Sequence, residues 1–225
     1  MRSRRRGGAL LDKDARTVSE PYQGAKHRMT RALIAVFGLI LFAASPAFAE
    51  DLNDAVLAEL NFARTHPADY AQDLRREQPA DDAQAGYPGA YDPDALAEAI
   101  DFLERQAPMP PLQSDQRIAA AALRHAIAQG PTGEVGHAVR GSASLSQRMQ
   151  SEGVWAGLEA EDISYGYASP QAVVRQLIID SGVAGRGHRM TIFDPTLQAA
   201  GVGCAPHRIY GAMCVIDFAG ALVVR

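Results

Sequence analysis

Residues 200–219 read A-G-V-G-C-A-P-H-R-I-Y-G-A-M-C-V-I-D-F-A. Two β-like runs flank the turn-rich segment P-H-R-I-Y-G. The pattern predicts antiparallel strands over 198–205 and 210–219. A chain that folds back near Ile209 brings Cys204 and Cys214 face to face across neighbouring strands. They are the only two cysteines. A disulfide there would contribute about 2–3 kcal/mol through loop entropy. Two buried free thiols are the other reading, because cross-strand disulfide geometry is restrictive. The run E-D-I-S-Y at 161–165 supplies a third strand.

Ahead of this sheet the chain reads as helices. Asp51 is placed to cap a helix over 52–65, where Leu52, Val56, Leu60 and Ala63 recur at helical spacing and Pro67 ends it. A-D-Y-A-Q-D-L-R-R-E at 68–77 continues as a second, short helix. Residues 79–93, rich in Asp, Gly and Pro, read as a loop. A third helical stretch at 94–106 leads to the rigid P-M-P-P at 108–111. Ser114 opens an alanine-rich helix reaching Gln129, and G-S-A-S-L-S-Q-R-M at 141–149 reads as a turn into a short helix. Ser169-Pro170 pairs a capping serine with proline at the first helical position, for a helix ending near Gly182. The expected fold is α+β: a small antiparallel sheet flanked by helices, in an α-β-α sandwich.

The amino end reads differently. A-L-I-A-V-F-G-L-I-L-F-A-A at 32–44 is an apolar run of 13 residues, short of the roughly 20 that a bilayer crossing needs. Arg31 precedes it and A-F-A at 47–49 follows, so 29–49 reads as a secretory signal cleaved after Ala49, with Met29 a better start than Met1. Residues 1–28 are then a disordered extension or the product of a mis-assigned start. Export to the periplasm or the medium follows. The first 49 residues hold nine basic and three acidic side chains; the remainder has 13 against 23, a net charge of −10. A surface so negative repels phosphate backbones, which argues against nucleic acid as a partner. The mature part is expected to hold no transmembrane segment. It also contains no lysine, which removes Schiff bases, Ser/Lys dyads and P-loops together.

Few polar residues remain to be weighed. His137 follows a glycine in G-E-V-G-H, Glu161 opens a β-like run, Asp180 ends the 170–181 helix, and His188 follows in G-R-G-H-R. Each has a bland reading on its own, as a turn histidine or a solvated acid. Asp180 is the exception in one respect. A helix C-terminus disfavours negative charge, which hints that this carboxylate has a partner. His66 reads as a stop signal, His125 as a core or boundary residue, and His207, in the hairpin turn, as exposed.

The surrounding words add to this. In order they are L-N-F-A-R (60–64), P-P-L-Q-S-D (110–115), A-A-A-L-R-H-A (120–126), G-H-A-V-R-G-S with R-M-Q-S-E-G, A-E-D-I-S-Y-G, G-H-R-M and A-G-V-G. This succession, over about 52–220, resembles the CAP superfamily of cysteine-rich secretory, antigen 5 and pathogenesis-related proteins, most closely its bacterial secreted branch. The resemblance implies an α-β-α sandwich with a cleft holding two histidines and two acids. His137 matches the first histidine, Glu161 the glutamate of the G-E-N word, and His188 the histidine of G-H-R. Asp180 falls where other members place a second acid. The sequence departs from the pattern in four places: Asp162 replaces the asparagine of G-E-N, the 173–180 helix lacks tryptophan, G-V-A-G-R lengthens the approach to G-H-R, and roughly 30 residues at 79–109 look inserted.

Two imidazoles and two carboxylates suit a divalent cation, zinc first. His137 and His188 are the expected ligands, with Glu161 and Asp180 holding the rings or closing the shell. The resemblance favours a secreted binding module for a small-molecule, lipid or cell-envelope ligand. The alternative is a zinc-dependent hydrolase in which Glu161 is the base for a metal-bound water. A third reading is structural, with the four residues only fixing the cleft.

Overall fold

The computed structural model describes residues 46–76 and 92–222. The expected leader, residues 29–45 above all, lies outside the described residues, as does most of the 79–93 loop. In chain order the elements are helices α1 (Pro46–Thr65), α2 (Pro67–Arg76) and α3 (Pro93–Arg105), strand β1 (Gln113–Ser114), helices α4 (Gln116–Gln129) and α5 (Leu145–Ser151), strand β2 (Glu159–Tyr165), helices α6 (Pro170–Ile179) and α7 (Gly187–Ile192), and strands β3 (Ala199–His207) and β4 (Gly211–Ala219). A short 3-10 turn, Ala184–Arg186, precedes α7.

The strands form one sheet in the order β1-β3-β4-β2, with β1 parallel to β3 and the remaining pairs antiparallel. Side chains alternate across a strand, so each strand feeds two layers. Ala200, Val202 and Cys204 of β3, with Cys214, Ile216 and Phe218 of β4, join the apolar side chains of α1, α2, α3 and α6 in one core. Ile163, Tyr165, Met213 and Val215 face the other way, onto Ala122 and Ala126 of α4. The α-β-α sandwich follows from that alternation.

On the α4 side, β3 presents Gly201 and Gly203, and the helix lies directly on the strand backbone. A Cβ at Gly203 would stand 2.2 Å from the Leu123 nitrogen, and one at Gly201 2.0 Å from that of Ala119. Cys204 and Cys214 are register partners with Cα atoms 4.0 Å apart, and they are joined in a disulfide. Replacing both with alanine is expected to lower stability by about 2–3 kcal/mol. The check is urea unfolding of the double variant beside wild type with and without reductant: reductant should destabilise wild type alone.

The helix boundaries differ from expectation in instructive ways. α1 starts at Pro46, so Asp51 lies inside the helix and not at its cap; the residues before it, A-F-A-E, are helix-compatible and extend the pattern. Asp115, not Ser114, caps α4, its side chain accepting from the Arg117 and Ile118 N–H groups. Ser114 belongs instead to β1, a strand of two residues, too short to leave a periodic signal. Ser169 caps α6 as expected, and Ser144 caps α5 in a full capping box with Gln147. α6 stops at Ile179, before Gly182, because Asp180 turns into the left-handed region at φ 57°.

Candidate functional site

His137 sits in the loop after α4, and buried polar groups hold that loop from beneath. The Tyr165 hydroxyl donates to Gln129 Oε1 (2.6 Å) and accepts the Gly136 N–H (2.8 Å), while Gln129 Nε2 donates to the Gly136 carbonyl (2.7 Å). His207 adds a further tie. Its Nε2 donates to the Glu134 carbonyl (3.0 Å), and its Nδ1 accepts the N–H groups of Ile209 (3.3 Å) and Tyr210 (3.2 Å). This corrects the expectation that His207 is exposed. The ring is buried because it folds under the turn that carries it and packs against Tyr165 and Tyr210.

Held in this way, His137 places Nδ1 2.9 Å from Glu161 Oε1. Glu161 lies on β2 with Ile163 and Tyr165, facing the α4–α5 layer, and its other oxygen pairs with Arg148 of α5. Asp217 stands opposite Glu161 in the strand register, its Oδ1 3.6 Å from Arg148 Nη2. Burial pushes the Glu161 carboxyl up, but the His137 hydrogen bond and the Arg148 charge outweigh it, so the group titrates below the usual range. Burial, together with the Glu161 charge, pushes Asp217 up to about 9, so it keeps its proton at neutral pH. The carboxylate acts on the imidazole in turn. The hydrogen bond to Glu161 raises the pKa of His137 against the opposing effect of desolvation.

That raised pKa carries a sign. The stabilisation from pairing is fully present below the ordinary imidazole value of about 6.5 and is lost as pH rises through the raised folded value. Glu161→Gln is therefore expected to move the His137 midpoint, read from its ring proton resonances, down towards the ordinary value. An unchanged midpoint would mean that the pair is not formed in solution.

The second pair is built at the end of α6. Asp180 adopts the left-handed conformation, and its side chain returns two hydrogen bonds to the next element. Oδ2 accepts the His188 N–H (2.9 Å) and Oδ1 lies 2.6 Å from His188 Nδ1. Arg186 Nη1 donates to the Asp180 carbonyl (2.8 Å). Arg189 donates from Nε to the Ile178 carbonyl (2.6 Å) and from Nη2 to the Ile179 carbonyl (3.0 Å), so cations satisfy the frayed end of the helix. A loop containing three glycines thereby holds an imidazole in one orientation. The hint that Asp180 needed a partner at an unfavourable helix end is met by His188.

The four residues thus form two acid–histidine pairs. Asp162 lies between them in sequence and in charge. It follows Glu161 on the opposite face of β2, is fully buried, and has Thr191 beside it. Burial first, and the Asp180 charge second, push its carboxyl well above the usual range.

The donor set falls short of zinc. Both acids are committed to ring Nδ1 atoms, which leaves the Nε2 atoms of His137 and His188. Among the described residues no group of three or more His, Cys, Asp or Glu side chains is arranged to hold a metal. Catalytic zinc takes three protein ligands and structural zinc four, more than these two nitrogens supply. Sequence reasoning did not single out Arg148 and Asp217. Their only trace was Arg148 in the R-M word; the burial that gives both their role depends on contacts distant in sequence.

Residues 57–218 match the family model described as CAP, the cysteine-rich secretory protein family. Curated protein sequences give no match. Solved structures give partial likenesses. One is an extracellular protein containing a SCP domain from Bacillus anthracis, 18% identical with a TM-score of 0.44 over 59% of this chain and 42% of that one. Another is an outer surface protein from Borrelia burgdorferi, 18% identical with a TM-score of 0.42 over 51% and 80%. A third is a cysteine-rich secretory protein from Staphylococcus aureus, 12% identical with a TM-score of 0.38 over 60% and 41%. The chain spans less than half the length of the first and third of these.

Proposed function

Because the chain belongs to the cysteine-rich secretory protein (CAP) family, we propose that it is an extracellular binding module whose ligand meets two acid-oriented imidazoles, those of His137 and His188. One observation carries the reading: the same device is built twice. A buried carboxylate stands behind each ring, with the Glu161 and Asp180 side chains 4% and 0% exposed, while the rings are the more accessible members, 60% exposed at His137 and 20% at His188. An acceptor-only carboxylate on Nδ1 fixes the neutral tautomer and leaves Nε2 as the atom offered to a ligand. The arrangement suits hydrogen bonding to the polar end of a small molecule or an envelope component.

The test is native mass spectrometry of the protein purified from culture medium, for wild type and for His137→Ala and His188→Ala. A co-purifying species present in wild type and lost from both variants is expected. A species retained by both would remove the imidazoles from the site. Zinc titration is the parallel arm. Two nitrogens alone should bind weakly, and the heat should vanish in His188→Ala and fade as pH falls through the raised His137 value, where the proton displaces the metal.

A further inference from the structure

The described part of the 79–109 segment, which carries α3, meets G-V-A-G-R, and both depart from the family pattern. α3 comes from the first and the 182–186 turn from the second, and a groove of about 620 Å³ runs between them. That size falls within the range of small-molecule sites. Its walls include Phe102 of α3, Val183 and the exposed Met190, together with a compact ionic set. Glu98, 50% exposed, places Oε1 3.0 Å from Arg189 Nη1 and Oε2 2.9 Å from Arg186 Nε.

The arginines do not need Glu98 to stay where they are. Arg186 is anchored on the Asp180 carbonyl, and Arg189, 2% exposed, on those of Ile178 and Ile179. Two guanidiniums fixed by backbone and converging on one carboxylate make a carboxylate receptor. The carboxylate that fills it comes from a half-exposed side chain at the rim of an open groove.

We propose that this groove binds a monocarboxylate with a compact apolar body, whose carboxylate replaces Glu98 between Arg186 and Arg189. The apolar body then lies on Phe102, Val183 and Met190. Glu98 is an internal competitor: its displacement lowers the apparent affinity by the fraction of time it occupies the clamp. The site borders the Asp180–His188 pair through the contact of Arg186 with the Asp180 carbonyl, but it does not rest on the reading of that pair.

Isothermal titration of the full chain with 3-phenylpropionate, and with its uncharged amide, tests the proposal. Wild type should bind the acid saturably, Glu98→Ala at least tenfold tighter, and Arg186→Asn at least tenfold weaker. Asparagine tolerates the left-handed backbone at 186 (φ 54°), and Glu98→Gln, which keeps the side-chain size, serves if the alanine variant does not fold. The amide should bind at least tenfold more weakly than the acid. Absence of saturable binding to either Glu98 variant, equal affinity for acid and amide, or indifference to Arg186→Asn would each overturn the assignment.

Discussion

Gly203→Ala is expected to cost at least about 3 kcal/mol, the upper end of what overpacking usually costs. The added methyl would stand 2.2 Å from Leu123 N, 2.4 Å from Leu123 Cα and 2.7 Å from the Ala122 carbonyl carbon. All three are backbone atoms, so no rotamer change relieves the clash; α4 itself must lift. The helix is held at both ends. The Asp115 N–H donates to the Ala200 carbonyl (3.1 Å) and the Arg208 N–H to that of Gly130 (2.9 Å). Lifting α4 also carries off Gln129, which holds the His137 loop. The variant should therefore lose stability, with a drop of about 6–12 °C in melting temperature if it folds at all, and disturb the His137 resonances together. Gly157→Ala, where a Cβ meets nothing within 4 Å, is the control and should be near neutral. Equal stability of the two variants would mean that α4 does not rest on β3 as described.

Arg148→Ala should cost about 3–5 kcal/mol, the usual penalty for stripping one partner from a buried ion pair. Arg148 is the guanidinium that Glu161 and Asp217 share, and all three side chains are at most 4% exposed. Without it, Glu161 stays buried beside a second carboxyl with only His137 as counter-charge. The loss should be largest at neutral pH and shrink on acidification, as Glu161 takes up a proton and its uncompensated charge disappears. Glu161→Gln in the Arg148→Ala background should recover part of the loss, a non-additivity that residues in one network show. Urea unfolding at pH 5 and pH 7.5 for the two single variants and the double variant measures it. A penalty independent of pH, or strict additivity, would show that charge burial is not its source.

Much of the fold was legible because it is written locally. Alternating runs gave the β3–β4 hairpin and its cysteine register, and Ser169-Pro170 gave the start of α6. The elements that escaped are those without a period. β1 has two residues, and α7 has six behind a glycine-rich turn, and each is specified by what it docks against. The candidate site was legible in part through its words. His137, Glu161 and His188 stand in them, and the cost of an acid at the end of α6 pointed to a partner for Asp180. Which acid holds which ring was not legible, since 24 residues separate Glu161 from His137 and only the sheet joins them. The buried arginines were equally silent. An arginine in R-M-Q or G-H-R reads as surface until a carboxylate or a set of helix-end carbonyls is shown waiting for it. His207 misled for the complementary reason: a turn position is usually wet, and this ring instead plugs the floor under the His137 loop.

Buried carboxylates set the orientation of two imidazoles, those of His137 and His188. Long-range ¹H–¹⁵N correlation spectra of the histidine rings report the tautomer directly. Recorded above the imidazole titrations, they should show both His137 and His188 carrying the proton on Nδ1 with Nε2 bare. Glu161→Gln and Asp180→Asn should each release the ring they hold. Protonated Nε2 in both rings of the wild-type protein would contradict the account.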